Sequence, residues 1–189
     1  MDGLKDRTQH IILETNRVRF ATWNKEDWKD FQKIATDPLV VRYLGTGEAW
    51  PEERIKEFVS RQIENWEKHG ICLWKVLPKD SDTLIGICGL QRLPEGPDVE
   101  IGWWLAPSHW GQGLATEAAL HALAYGFEVG NFERIVAIAQ SANLDSLRVM
   151  EKLGMRFERE ALHKGIHVVL YAISRETFNA DKAKGELRA

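Results

Sequence analysis

Hydrophobic positions along the chain follow two rhythms. From Ile71 to Ala106 they crowd into three short runs: ICLWKVL (Ile71–Leu77), TLIGICGLQ (Thr83–Gln91) and VEIGWWLA (Val99–Ala106). Turn-forming stretches separate them, PKDSD (Pro78–Asp82) and LPEGPD (Leu93–Asp98), so the three runs predict an antiparallel meander. In PEERIKEFVSRQIENWEKHG, Ile55, Phe58, Val59, Ile63 and Trp66 recur at helical spacing between Pro51 and Gly70. An earlier helix is expected from NKEDW onward, with Asn24 as its cap, and a strand before it near Ile11–Ala21.

The second half alternates in the same way. Leu114–Val129 predicts a helix whose small residues, Ala115, Ala118, Ala119 and Ala122, allow close packing on a sheet. RIVAIAQ (Arg134–Gln140) predicts a strand, and NLDSLRVMEKLG a helix capped by Asn143 and stopped at Gly154. Strands near Met155–Leu162 and Ile166–Ile173 complete a hairpin. The resulting order, β-α-α-β-β-β-α-β-α-β-β, is a mixed α/β (α+β) single domain with a mostly antiparallel sheet flanked by helices. It spans residues 11–178, with residues 1–10 read as a flexible N-terminal segment and 179–189 as a polar C-terminal tail.

Composition narrows the function classes. The 189 residues are 44% hydrophobic and 28% charged, a globular composition, with a net charge of −3 and no long basic run. Nucleic acid is therefore a poor partner, because neutralising phosphates needs clustered Lys and Arg. No apolar run approaches the roughly 20 residues of a membrane span, and the N-terminus lacks a signal-peptide core. Cys72 and Cys88 have no metal or redox spacing and read as reduced core thiols of a cytoplasmic protein. The six histidines are scattered without ligand-like spacing, so no metal is expected.

The stretch HWGQGLATEA (His109–Ala118) joins the VEIGWWLA strand to the alanine-rich helix. Gly111 and Gly113 permit a close backbone approach, and the first N–H groups of the helix have no intrahelical acceptor. Such a cradle suits a pyrophosphate. GxxxxGK[ST] is absent, and a dinucleotide fingerprint would want glycine where Thr116 stands. On its own the loop reads equally well as a plain glycine turn.

VEIGWWLAPSHWGQGLATEA followed by AIAQSANLDSLRVMEKLGMRFERE resembles the GNAT superfamily of acetyl-CoA-dependent N-acetyltransferases, in particular its Rim-type (ribosomal-protein N-terminal) branch. The likeness covers nearly the whole chain, including LETNRVRFATWNKEDW and DPLVVRYLG. It implies that backbone groups of Gly111, Gln112, Gly113, Leu114, Ala115 and Thr116 hold the pyrophosphate of acetyl-CoA. It also implies that Trp104, Leu105 and Ala106 present backbone groups to the pantetheine arm, and that Asn143 contacts the cofactor. Trp110 replaces a Gln or Arg of many relatives, a change common in the Rim-type branch that removes a polar contact.

Acetyl transfer needs a deprotonated amine, a polarised thioester carbonyl and a proton for the departing thiolate. Alternation places Glu100, Gly102, Trp104 and Ala106 on one face of their strand and Val99, Ile101, Trp103 and Leu105 on the other. Taken alone, Glu100 reads as an ordinary strand glutamate; the resemblance makes it the general base, directly or through water. Met150 occupies the place of a tyrosine acid in LYEKLGF, leaving Ser146 or water to protonate the thiolate. Trp50, Trp66 and Trp103 are candidates to line the acceptor site. The acceptor is a protein α-amine or a small amine such as a polyamine or aminoglycoside, bound by a monomer or homodimer. A catalytically silent acyl-CoA sensor is the alternative function.

Overall fold

A computed structural model describes residues 10–93 and 96–187. The first strand differs from expectation because the ETNR segment turns. The Thr15 hydroxyl oxygen accepts from the Val18 amide (3.0 Å), and the Thr15 amide donates to the Val18 carbonyl (2.8 Å). That local bonding splits the predicted Ile11–Ala21 strand into the hairpin β1 (Ile11–Glu14) and β2 (Val18–Ala21). The segment read as flexible lies outside the described residues apart from His10, whose carbonyl accepts from the Thr22 amide.

Asn24 precedes a short 3-10 turn that leads into α1 (Trp28–Ala35), and its amide donates to the Asp27 carboxylate at 2.7 Å. A one-turn helix, α2 (Pro38–Val41), starts where the Asp37 carboxylate caps the Leu39 amide (2.9 Å). The expected amphipathic helix is α3 (Glu52–His69), ended by Gly70. The meander follows as β3 (Leu73–Pro78), β4 (Gly86–Arg92) and β5 (Val99–Leu105). Next come α4 (Leu114–Glu128), β6 (Arg134–Ala139), α5 (Leu144–Lys152), β7 (Arg156–His163) and β8 (Ile166–Ser174). The chain then forms a helix not expected from its pattern, α6 (Arg175–Lys184), so much of the presumed tail is helical. Its polar sequence hides one anchor: Phe178 is buried against Phe127 of α4, with ring centroids 5.0 Å apart.

The eight strands form one sheet in the order β1-β2-β3-β4-β5-β6-β8-β7. Every neighbouring pair is antiparallel except β5 and β6. Helix α4 covers one face, and its alanines permit the close approach expected of them. At Gly126 a Cβ would meet methyls of Ile135 and Leu90 at 2.7 and 2.8 Å. The opposite face carries α1 and α3, whose Phe31 and Phe58 rings stack on Trp104 at 6.0 and 5.9 Å. Among the described residues, no helix is long and apolar enough to cross a membrane.

Candidate active site

The site begins where β5 and β6 part. Their parallel register includes only Val99↔Ile135 and Glu100↔Val136, although β5 continues to Leu105 and β6 to Ala139. Past Glu100 the edge of β5 is therefore free of a neighbouring strand. Which backbone groups face that opening follows from the pairing with β4. The Ala106 amide donates to the Ile85 carbonyl (2.8 Å), and an antiparallel pair alternates its bonded residues. Residues 100, 102, 104 and 106 thus turn their backbone groups to β4. Ile101, Trp103 and Leu105 turn theirs into the opening.

This shifts the sequence expectation. Of Trp104, Leu105 and Ala106, only Leu105 aims backbone groups at the opening, and its carbonyl accepts from the Trp110 indole N–H at 2.7 Å. Strand alternation predicts faces, but the bonded side depends on register with β4, which no local pattern encodes. Trp110 is accordingly a tie between the glycine loop and the end of β5, and not merely a lost polar contact.

Glu100 stands at the fork. Only 8% exposed, it accepts a hydrogen bond from Gln91 Nε2 to Oε2 (2.7 Å) across the β4–β5 pair. Burial pushes its carboxyl up to about 7, although the Gln91 bond and the charge of Lys164, in the β7–β8 turn, pull the other way. A carboxyl poised there can take a proton near neutral pH. Beside it on the same face are Gly102, which leaves the sheet without a side chain, and Trp104. Trp50 meets Trp104 edge to face at 5.0 Å. The other two tryptophans considered for the acceptor site lie elsewhere. Trp103 is on the opposite face of β5, and Trp66 packs on Trp74, which meets Tyr125 of α4 (5.0 Å).

The glycine loop adjoins the far end of β5. Gly111 and Gly113 have φ of 71° and 76°, left-handed values that favour glycine. The Glu117 amide is the first of α4 to bond one turn back, to the Gly113 carbonyl (3.0 Å). The amides of Leu114, Ala115 and Thr116 have no carbonyl one turn earlier, and the positive end of the helix dipole lies behind them. The Gln112 side chain folds back to the Ser108 carbonyl (3.0 Å), leaving only its backbone in the loop. An open strand edge leading to a helix N-terminus behind two left-handed glycines fits an elongated acyl carrier with a diphosphate.

Comparison with known proteins agrees with that geometry. Residues 17–156 match the acetyltransferase (GNAT) domain. The chain belongs to the GNAT acetyltransferases. It is similar to the uncharacterized N-acetyltransferase YnaD of Bacillus subtilis, with 33% identity over 88% of this chain and 99% of that one. The spermidine N(1)-acetyltransferase of Escherichia coli is 37% identical over 78% of this chain and 77% of its own. Among solved structures, RimL, a ribosomal alpha-N-protein acetyltransferase in complex with coenzyme A, superposes with a TM-score of 0.74. That match covers 87% of this chain and 98% of RimL at 15% identity, a likeness of fold.

The remaining expected residues follow β6, at the start and in the body of α5. Asn143 caps α5, its Oδ1 accepting from the Ser146 amide at 3.3 Å. Ser146 is half-buried, and Met150 is fully within the core. From Val136, beside Glu100, to Ala139 at the end of β6 is about 10 Å. The end of β6, from which the chain leads into α5, therefore lies about that far from the fork at Glu100. Sequence reasoning missed two residues that bond to expected site residues: Gln91, to Glu100, and Arg17, to the Gln112 carbonyl. Gln91 becomes visible only through the Gln91↔Glu100 register, whereas Arg17 lies in the β1–β2 turn, within a segment whose pattern predicts one continuous strand.

Proposed function

We propose that this acetyltransferase moves an acetyl group from acetyl-CoA directly to a primary amine within a ternary complex, with Glu100 as general base. The observation that carries the reading is the buried Glu100 carboxyl at the β5–β6 fork, raised to about 7 and held by Gln91. Glu100 accepts the ammonium proton of the acceptor, directly or through one water, so that the neutral amine attacks. Bound acetyl-CoA supplies the activated thioester. Free N–H groups along β5 polarise its carbonyl, with Trp103 and Leu105 the nearest to the loop. The amides from Gly111 to Thr116 hold the diphosphate, Asn143 borders the pantetheine, and the Ser146 hydroxyl or water gives the thiolate its proton.

Direct transfer is favoured over an acyl-enzyme because Cys72 and Cys88 are buried, free thiols that burial pushes well above the usual thiol range. Two free thiols also suit a cytoplasmic protein. Among the described residues, the acceptor face offers aromatic walls and the buried Glu100 carboxylate, with Lys164 acting on it. A protein N-terminal α-amine or a small monoamine suits this face better than a polyamine, whose further ammonium groups would need acidic partners. The likeness to a spermidine acetyltransferase makes the polyamine the second reading.

The test is release of CoA thiol with a panel of peptides, monoamines and spermidine. Turnover of at least one amine, reduced about 100-fold or more by Glu100→Gln, is expected. Tight acetyl-CoA binding without turnover on any amine would replace the enzyme with a silent acyl-CoA sensor.

A further inference from the structure

Arg17 lies in the β1–β2 turn, 95 residues before Gln112, yet it makes its polar contacts at the glycine loop. Its backbone N–H and its Nε donate to the two carboxylate oxygens of Glu117 at 2.9 and 2.6 Å. Its Nη1 donates to the Gln112 carbonyl at 2.7 Å. The Thr15 hydroxyl, from the same turn, donates to Glu117 as well. Nη2 has no acceptor among the described residues and lies 3.5 Å from where a Cβ on Gly113 would stand. The Arg17 side chain is 45% exposed, whereas that of Glu117 is 4% exposed.

Glu117 poses an electrostatic problem on the first turn of α4. A buried carboxylate there opposes a phosphate for the positive end of the same helix. Burial alone would raise its pKa, but the bonds from Thr15 and Arg17 outweigh that and hold it below the usual carboxylate range. The group stays charged, so the site needs a cation beside it. The Gln112 carbonyl is a second negative pole in the loop, and Nη1 fixes it.

We infer that Arg17 is a pyrophosphate-binding residue of the acetyl-CoA site. It neutralises Glu117, fixes the Gln112 carbonyl so that the neighbouring amides stay available, and offers Nη2 to a phosphate oxygen. This rests on the reading that the glycine loop holds the diphosphate of acetyl-CoA.

S-acetyl-pantetheine, which carries the thioester but no diphosphate, separates this role from a structural one. In Arg17→Gln, and in Arg17→Gln/Glu117→Gln, which leaves no buried charge unpaired, KM for acetyl-CoA should rise about 10–100-fold. The value of kcat should change less than about three-fold, and KM for S-acetyl-pantetheine less than about two-fold. The double variant should melt within a few degrees of the wild type. An equal loss with both thioesters, or recovery of wild-type acetyl-CoA affinity in the double variant, would overturn the assignment. Failure of the wild type to bind acetyl-CoA would instead remove the acetyl-CoA reading on which it rests.

Discussion

Glu100 shows how one side chain's surroundings set its chemistry. With its carboxyl raised to about 7, the fraction ready to accept a proton grows as pH rises through neutrality. The value of kcat/KM should therefore climb from pH 6 to 8 and level off, and Glu100→Gln should lose that inflection. Gln91 stabilises the ionised form through its 2.7 Å bond, so Gln91→Leu should move the inflection to higher pH. The same shift has a cost in stability. An unfolded glutamate releases its proton near 4.5, whereas the folded one keeps it to about 7. Between those values the folded state binds more protons, so stability falls as pH rises across the window, and the loss is complete above it. Chemical denaturation should thus find Glu100→Gln more stable than wild type at pH 8, by about 1–3 kcal/mol, and no different near pH 4.

At the scale of elements, the opening depends on β5 keeping its line against β4. Gly86 is decisive there. A Cβ at Gly86 would lie 2.2 Å from the Trp104 carbonyl oxygen and 2.9 Å from the Leu105 Cα. Because those atoms are backbone, no rotamer change relieves the clash, and β5 itself must move. Gly86→Ala should lower unfolding free energy by about 2–4 kcal/mol and weaken acetyl-CoA binding along with it. Denaturant titration and calorimetric binding would read the two effects. The meander, α3, α4 and α5 were legible from the sequence because each has its own period and its own start and stop residues. The β1–β2 turn, α2 and α6 were not. The first two rest on polar bonds at one residue, the Thr15 hydroxyl and the Asp37 carboxylate, and α6 joins the Ser174 cap on the Thr177 amide to one apolar anchor, Phe178 against Phe127.

For the molecule as a whole, the proposed cofactor site draws on β5, β6, α4 and α5, which the fold brings from separate parts of the chain. A ligand bound across them should stabilise the entire domain. At about 100 times its Kd, acetyl-CoA should add roughly 2.7 kcal/mol, raising Tm by about 5–10 °C, and scanning calorimetry would measure it. The sequence by itself determined the β3–β5 meander, the succession α4-β6-α5-β7-β8, the two left-handed glycines before α4, the caps of α5 and the motifs that mark a GNAT acetyltransferase. Those features are local, since periodicity, φ preference and capping act within a few residues. Only the tertiary structure decided that β5 and β6 part at Glu100, that the backbone of Trp103 and Leu105 faces the opening, and that Gln91 bonds Glu100 and Arg17 bonds Glu117 and the Gln112 carbonyl. Contacts between residues as far apart as Arg17 and Glu117 follow from sheet register and helix docking. Global packing fixes these, and no local pattern records them.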